Sequence, residues 1–229
     1  MTARHEETNS PCPPAHSTNW PCPPAQGYYA EDLDRLPGLP PHTELIDGTL
    51  VLPGPQQPFQ TEVLSQLEAA MIRLTPADDF TVVRQKSVLL GRRSRPEPDL
   101  MLVKANVELA KDATYYPPHA VTLVAEVVTP DSEARDRDRK PHIYAAAGFE
   151  YFWRLEEVAG KIILYTYELN KMSHHYMLLG IFQGRVRLAR PFPIDIDLND
   201  LLTSHSHSHS HSRSRTARNL GPALQLLPV

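Results

Sequence analysis

Glu126 sits in the run Val-Thr-Leu-Val-Ala-Glu-Val-Val over residues 121–128, almost wholly apolar around it. A carboxylate buried there is costly unless something compensates its charge. Two readings stay open. Glu126 belongs to a buried ion pair or turns outward at a strand end, or it is a metal ligand at the carboxyl edge of a sheet. Asp99 follows Pro98 and opens the apolar stretch Leu100–Val103. Alone, Pro-Asp is a common turn dipeptide. Paired with Glu126, it becomes a candidate second oxygen ligand from a neighbouring strand. Hard divalent cations, magnesium or manganese for example, use one or two carboxylates and keep several waters. Such an ion polarises a phosphoryl oxygen and supplies a hydroxide-like nucleophile. The third part is a cation. Residues 129–140 alternate charges and would ordinarily form solvated surface. Pro141, comfortable in a first helical turn, predicts a helix beginning near Lys140. From there the ammonium reaches back toward the sheet edge. It would orient an attacking water or stabilise charge in the transition state.

These residues need elements to hold them. Glu44–Leu52 reads as a β-hairpin around Asp47-Gly48. Phe59–Leu74 reads as an amphipathic helix, with Val63, Leu64, Leu67, Ala70, Met71 and Leu74 at three- and four-residue spacing. Phe80–Leu90 and Pro98–Val103 read as strands. Ala120–Val128 reads as a central strand buried on both faces. Ile143–Ala147 lies in a helix stopped by Gly148. Glu150–Leu155 and Lys161–Leu169 are two more strands joined at Ala159-Gly160. Tyr176–Leu179 and Arg185–Leu188 read as a hairpin around Gly184. Gln85 lies on the strand before the Pro-Asp unit; a solvent-facing position is its default reading and a site-lining one the alternative. Strands outnumber helices, which predicts an α/β or α+β arrangement around one mixed sheet.

The 229 residues carry a formal charge of −4, with 41% hydrophobic and 22% charged residues. Net charge therefore gives no general affinity for nucleic acid. No apolar run approaches the ~20 residues of a membrane span, so no membrane contact is expected. The first residues lack an apolar signal region, and a cytoplasmic protein is expected. Twelve of the 23 prolines fall within the first 58 residues, and PCPPA occurs at 11–15 and 21–25. Residues 1–27 thus read as a Pro-rich disordered tail. Cys12 and Cys22 lie in it and read as reduced thiols. Residues 203–229 alternate Ser and His before Arg213, Arg215 and Arg218 and read as a second low-complexity tail. The ordered domain is expected over 28–202.

Several segments in order carry a resemblance. They are Glu44-Leu-Ile-Asp-Gly, Glu97-Pro-Asp99, Val124-Ala-Glu-Val-Val-Thr-Pro130, Asp136 with Lys140, and Tyr144-Ala-Ala-Ala-Gly-Phe-Glu-Tyr-Phe-Trp153. Together they resemble the Uma-two family of the PD-(D/E)XK nuclease superfamily, across roughly Leu36–Leu202. Pro191-Phe-Pro-Ile194 with Leu198 is similar to that family's closing strand. The resemblance implies a restriction-endonuclease-like α/β core: a mixed β-sheet flanked by helices. It also implies a magnesium-dependent site. Asp99 and Glu126 match the metal-binding acids, Glu44 an upstream catalytic acid, and Asp136 an accompanying acid. Many nucleases of the superfamily place a lysine two residues after the Glu, where this chain has Val128; Lys140 on the following helix matches the family's alternative. Many relatives carry a histidine at the start of the first helix, where this chain reads Gln-Gln-Pro-Phe-Gln.

Contact with nucleic acid needs cations at phosphate spacing. Arg92, Arg93 and Arg95 cluster in the loop entering Asp99 and are the expected DNA-binding set. Arg135, Arg137 and Arg139 form a second cluster. The expected activity is metal-dependent endonucleolytic hydrolysis of DNA, with DNA as partner and a homodimer left open. The alternative is a catalytically silent nucleic-acid-binding or protein-interaction module on the same fold.

Overall fold

The six strands of the main sheet run in the spatial order β10-β9-β8-β7-β5-β3. The computed structural model describes residue 23 and residues 25–55 and 57–202. Expectations for Cys12, Cys22 and the Ser/His/Arg tail lie outside the described residues, as does the Pro-rich tail apart from Pro23 and 25–27. In chain order the elements are α1 (Asp32–Arg35), β1 (Glu44–Ile46), β2 (Thr49–Val51), α2 (Pro58–Leu74), β3 (Phe80–Arg84), β4 (Ser87–Val88) and β5 (Leu100–Lys104). Then come β6 (Tyr115–Tyr116), β7 (Val121–Val127), a π-helical turn (Arg135–Arg139), α3 (Lys140–Ala146) and β8 (Tyr151–Val158). The chain continues through β9 (Lys161–Asn170), β10 (His175–Gln183), β11 (Arg185–Leu188), β12 (Ile194–Asp197) and a 3₁₀ turn (Leu198–Leu202). This is the mixed sheet flanked by helices expected of a restriction-endonuclease-like α/β core. β7 and β8 are parallel and bracket α3; the other neighbouring pairs in the sheet are antiparallel.

Alternation along β7 divides the core. Leu123, Ala125 and Val127 face α2, whose Val63, Leu64, Leu67, Ala70 and Met71 are buried against them. Val124 faces the opposite layer, with Tyr144 of α3, Phe149 and Phe152. Every residue of β7 is buried, as the apolar run predicted. Glu126 therefore falls on the α3 face, two residues beyond Val124.

Two expectations are corrected. The strand expected over Phe80–Leu90 breaks at Gln85, which has φ 47° and donates its N–H to the Asp99 carbonyl. After this break β4 leaves the main sheet and pairs with β6. The hairpin expected between Tyr176–Leu179 and Arg185–Leu188 does not form. β10 pairs instead with the long strand β9, and β11 pairs with β12. A turn glycine marks where a chain reverses, while the partner is decided by the longest complementary edge available. α3 starts at Lys140, as expected, and a π turn over Arg135–Arg139 leads into it. The π turn carries the chain past Pro141, and Lys140 N–H bonds to the Arg135 carbonyl. Proline cannot donate and clashes with the carbonyl four residues back in a regular α-helix. A π turn widens the backbone just there.

Candidate active site

The antiparallel register of β5 and β7 sets Leu100 opposite Ala125 and Met101 opposite Val124. One step further along, Asp99 falls beside Glu126 on the α3 face. The Val127 N–H donates to Asp99 Oδ2 at 2.7 Å, which ties the two strand ends together. Gln60, on the first turn of α2, donates to Asp99 Oδ1 at 3.4 Å. Both acids open into a cleft of about 440 Å³, lined also by Glu44, Gln85, Glu97, Asp136, Arg135 and Lys140.

Lys140 is held from three sides. Its Nζ lies 3.1 Å from Glu44 Oε1, 3.1 Å from Glu126 Oε1 and 3.4 Å from Asp136 Oδ1. The hairpin β1–β2 presents Glu44, and its turn at Asp47-Gly48 has φ of 53° and 81° as an Asp-Gly turn requires. Glu44 Oε1 also accepts the Glu97 N–H at 2.8 Å. Tyr144, one turn beyond Lys140 on α3, donates its hydroxyl to Glu126 Oε1 at 2.6 Å. All of these side chains except Glu97 are buried.

The charges explain the proton affinities. Burial raises Glu126 well above the usual carboxylate range, against the pull of Lys140 and with the help of Asp136 and Asp99. Burial likewise pushes Asp99 up to about 6, opposed by Lys140 and the Val127 N–H. Burial alone would lower Lys140, but Glu126, Glu44 and Asp136 outweigh it and hold the ammonium well above its usual value. Burial and the Glu126 charge keep Tyr144 a phenol.

The donor set fits a divalent cation. Glu44, Glu126 and Asp136 surround the Lys140 ammonium and Asp99 lines the same cleft, so carboxyl groups outnumber it. Asp136 Oδ1 is buried and accepts no hydrogen bond. Among the described residues no cluster of three or more His, Cys, Asp or Glu side chains forms a ready cage. Asp99 and Glu126 would thus supply two oxygens and leave the other positions to water or substrate, as magnesium favours.

The structure brings Asp99, Glu126, Lys140, Glu44 and Asp136 together. It does not bring Arg92, Arg93 or Arg95 into the cleft lining. Arg95 is buried: it binds both Asp34 carboxylate oxygens, at 2.7 and 3.1 Å, and the carbonyls of Ala30 and Thr114. This bonding removes it from the expected DNA-binding set. Arg93 donates to the Asp47 carbonyl, and Arg92 stacks over the Tyr29 ring. In the second cluster, Arg137 pairs with Glu156 and Glu133, and Arg139 with Asp47. Arg135 alone of the six lines the cleft, with its Nε buried and unpaired. Gln85 takes its alternative position in the cleft because the break after β3 turns the chain there.

Sequence reasoning missed His42, Gln60 and Tyr144. His42 has φ 65° and lies 2.5 Å from Glu97 Oε1 on the rim of the same cleft. No spacing links residues 42 and 97; the bridge between Leu45 and Arg95 and the Glu97 N–H bond to Glu44 make them neighbours. Tyr144 was legible only in part, as the residue four positions beyond Lys140 on a helix.

Residues 30–199 match the family model Uma2, described as "Putative restriction endonuclease". The chain belongs to the Uma2 family. A solved structure from Anabaena variabilis ATCC 29413, titled a "putative nuclease belonging to DUF820", shares the fold of this Uma2 chain. The two align with a TM-score of 0.59 and 14% identity, over 75% of this chain and 95% of that one. A comparison with curated proteins gave no match. Among the described residues of this Uma2 protein, no helix is long and apolar enough to cross a membrane.

Proposed function

We propose that this Uma2 protein is a metal-dependent endonuclease that hydrolyses phosphodiester bonds of DNA. The observation behind this reading is Lys140, buried and clamped between Glu44, Glu126 and Asp136 in the cleft that Asp99 and Glu126 share. Asp99 and Glu126 would hold magnesium or manganese. When bound, that ion supplies Lewis-acid polarisation of the phosphoryl oxygen and a more acidic water.

The chain's own residues do the rest. Glu44 and Asp136 fix the ammonium of Lys140 beside Glu126. There it orients the attacking water or offsets the charge that develops on the phosphoryl group. Tyr144 holds Glu126 in one orientation through its hydroxyl. Gln60 and the Val127 N–H do the same for Asp99. Arg135, at the cleft wall, would offer its guanidinium to a phosphate of the bound strand. The test is cleavage of supercoiled plasmid with magnesium or manganese, wild type against Asp99→Asn. Nicking or linearisation by wild type and a loss of ~100-fold or more in the variant are expected. A wild type that leaves the plasmid intact with either ion rejects the reading.

A further inference from the structure

The main sheet ends on β10, and among the described residues no strand covers its outer side. Met177, Leu178, Leu179 and Ile181 on it are 50%, 52%, 50% and 58% exposed. Met172, in the turn leading into it, is 95% exposed. Consecutive residues of a strand face opposite sides, so this apolar surface wraps around both faces of the edge. The bulge between Leu178 and Gly180 adds to this. Leu178 lies opposite Tyr167 and Ile181 opposite Tyr165, on one face, while Met177 lies opposite Glu168 on the other.

Edge strands are ordinarily blunted by charge, proline or a bulge, and of these β10 has the bulge at Leu179 alone. The opposite edge follows that rule: β3 ends on Arg84, which pairs with Glu68 of α2. Over His175–Gln183, β10 carries neither Asp, Glu, Lys, Arg nor proline.

We propose that β10 is the self-association edge of this protein. Two copies pair β10 with β10, antiparallel about a twofold axis, and their sheets join into one. The occupant must offer an extended backbone, apolar side chains on both faces and no charge. A second β10 meets all three conditions, and a twofold pair sets each residue against a member of the same uncharged strand. Four half-exposed side chains amount to ~400 Å² per copy, about half of the ~800 Å² per partner in a standard interface. Met172, the strand backbone and the flanks of the edge would supply the remainder.

Sedimentation equilibrium of the full chain from ~1 to ~100 μM reads the outcome. Wild type is expected to be dimeric. Leu179→Lys and Ile181→Lys are expected to weaken association at least ~10-fold without changing the far-ultraviolet circular dichroism. Ile72→Lys is the control, because Ile72 is equally exposed at 58% but lies on α2; it should leave the dimer intact. If either lysine variant misfolds, Met177→Lys takes its place. Amide hydrogen exchange completes the test, with β10 protected in the dimer and open in the monomeric variants. A wild type that stays monomeric throughout overturns the proposal. So does a dimer indifferent to the β10 lysines, or a monomer whose β10 amides are protected by another part of the chain.

Discussion

Lys140 balances three carboxylates, and its loss leaves them buried together without a cation. Removing one partner of a buried charged cluster costs ~3–5 kcal/mol. Lys140→Met should therefore lower the melting temperature by roughly 10 °C as well as abolish cleavage. Glu126→Gln removes one negative charge from an acidic cluster and keeps its shape. It should abolish cleavage with little change in melting temperature. Equal melting of the two variants would contradict this charge balance. Asp99 adds a pH dependence. Its carboxyl is pushed up to about 6 from 3.8, so between those values the folded state holds a proton that the unfolded chain has released. Ion-free protein thus loses stability as pH rises through that window. A divalent cation needs the deprotonated form, so its stabilising effect should grow over the same window. The rise in melting temperature on adding manganese should be larger at about pH 7.5 than at about pH 5. Equal rises at the two values would remove Asp99 from the ion's ligands.

At the scale of elements, Arg95 and Arg135 carry opposite expectations. Arg95 ties α1 to the segment around β6 through Asp34, Ala30 and Thr114. Arg95→Met leaves those oxygens without their donor. It should destabilise the fold by about 2–3 kcal/mol. The protein that remains folded should bind DNA as before. Arg135→Ala should do the reverse: melting unchanged, DNA binding weaker, and a shallower dependence of affinity on salt. Thermal melts and binding titrations at two salt concentrations separate the two arginines. The π turn matters here as well. It sets Asp136 beside Lys140, while Arg137 pairs with Glu156 of β8.

For the whole molecule, residues on both sides of the expected boundary at residue 28 make contacts. The Tyr29 hydroxyl donates to Gln26, and the Tyr28 N–H donates to the Gly48 carbonyl beside the hairpin that presents Glu44. A chain cut to residues 25–202 should keep its melting temperature within about 2 °C of the full chain and retain cleavage, because neither terminal segment has a periodic apolar face. A markedly lower melting temperature would assign the ends a structural part. Cutting at residue 30 should be worse, since it removes the contacts to Gly48.

Local pattern determined much of this protein. The apolar run at 121–128 was enough to predict a doubly buried central strand, and Asp47-Gly48 its hairpin. The spacing from Val63 to Met71 was enough for α2, because periodicity in a sequence is the periodicity of the element. Asp99 and Glu126 were legible as candidates, because each carboxylate sits in or beside an apolar strand pattern. Tertiary structure decided the rest. Which strand β10 pairs with depends on the edges competing for it, and no turn glycine records that competition. Arg95 and Arg135 look alike in sequence, yet one is buried against Asp34 and the other lines the cleft. A charge's role is set by the partner it meets in space. His42 reaches the cleft because long-range ties, the Leu45–Arg95 bridge and the Glu97 bond to Glu44, bring its loop to Glu97.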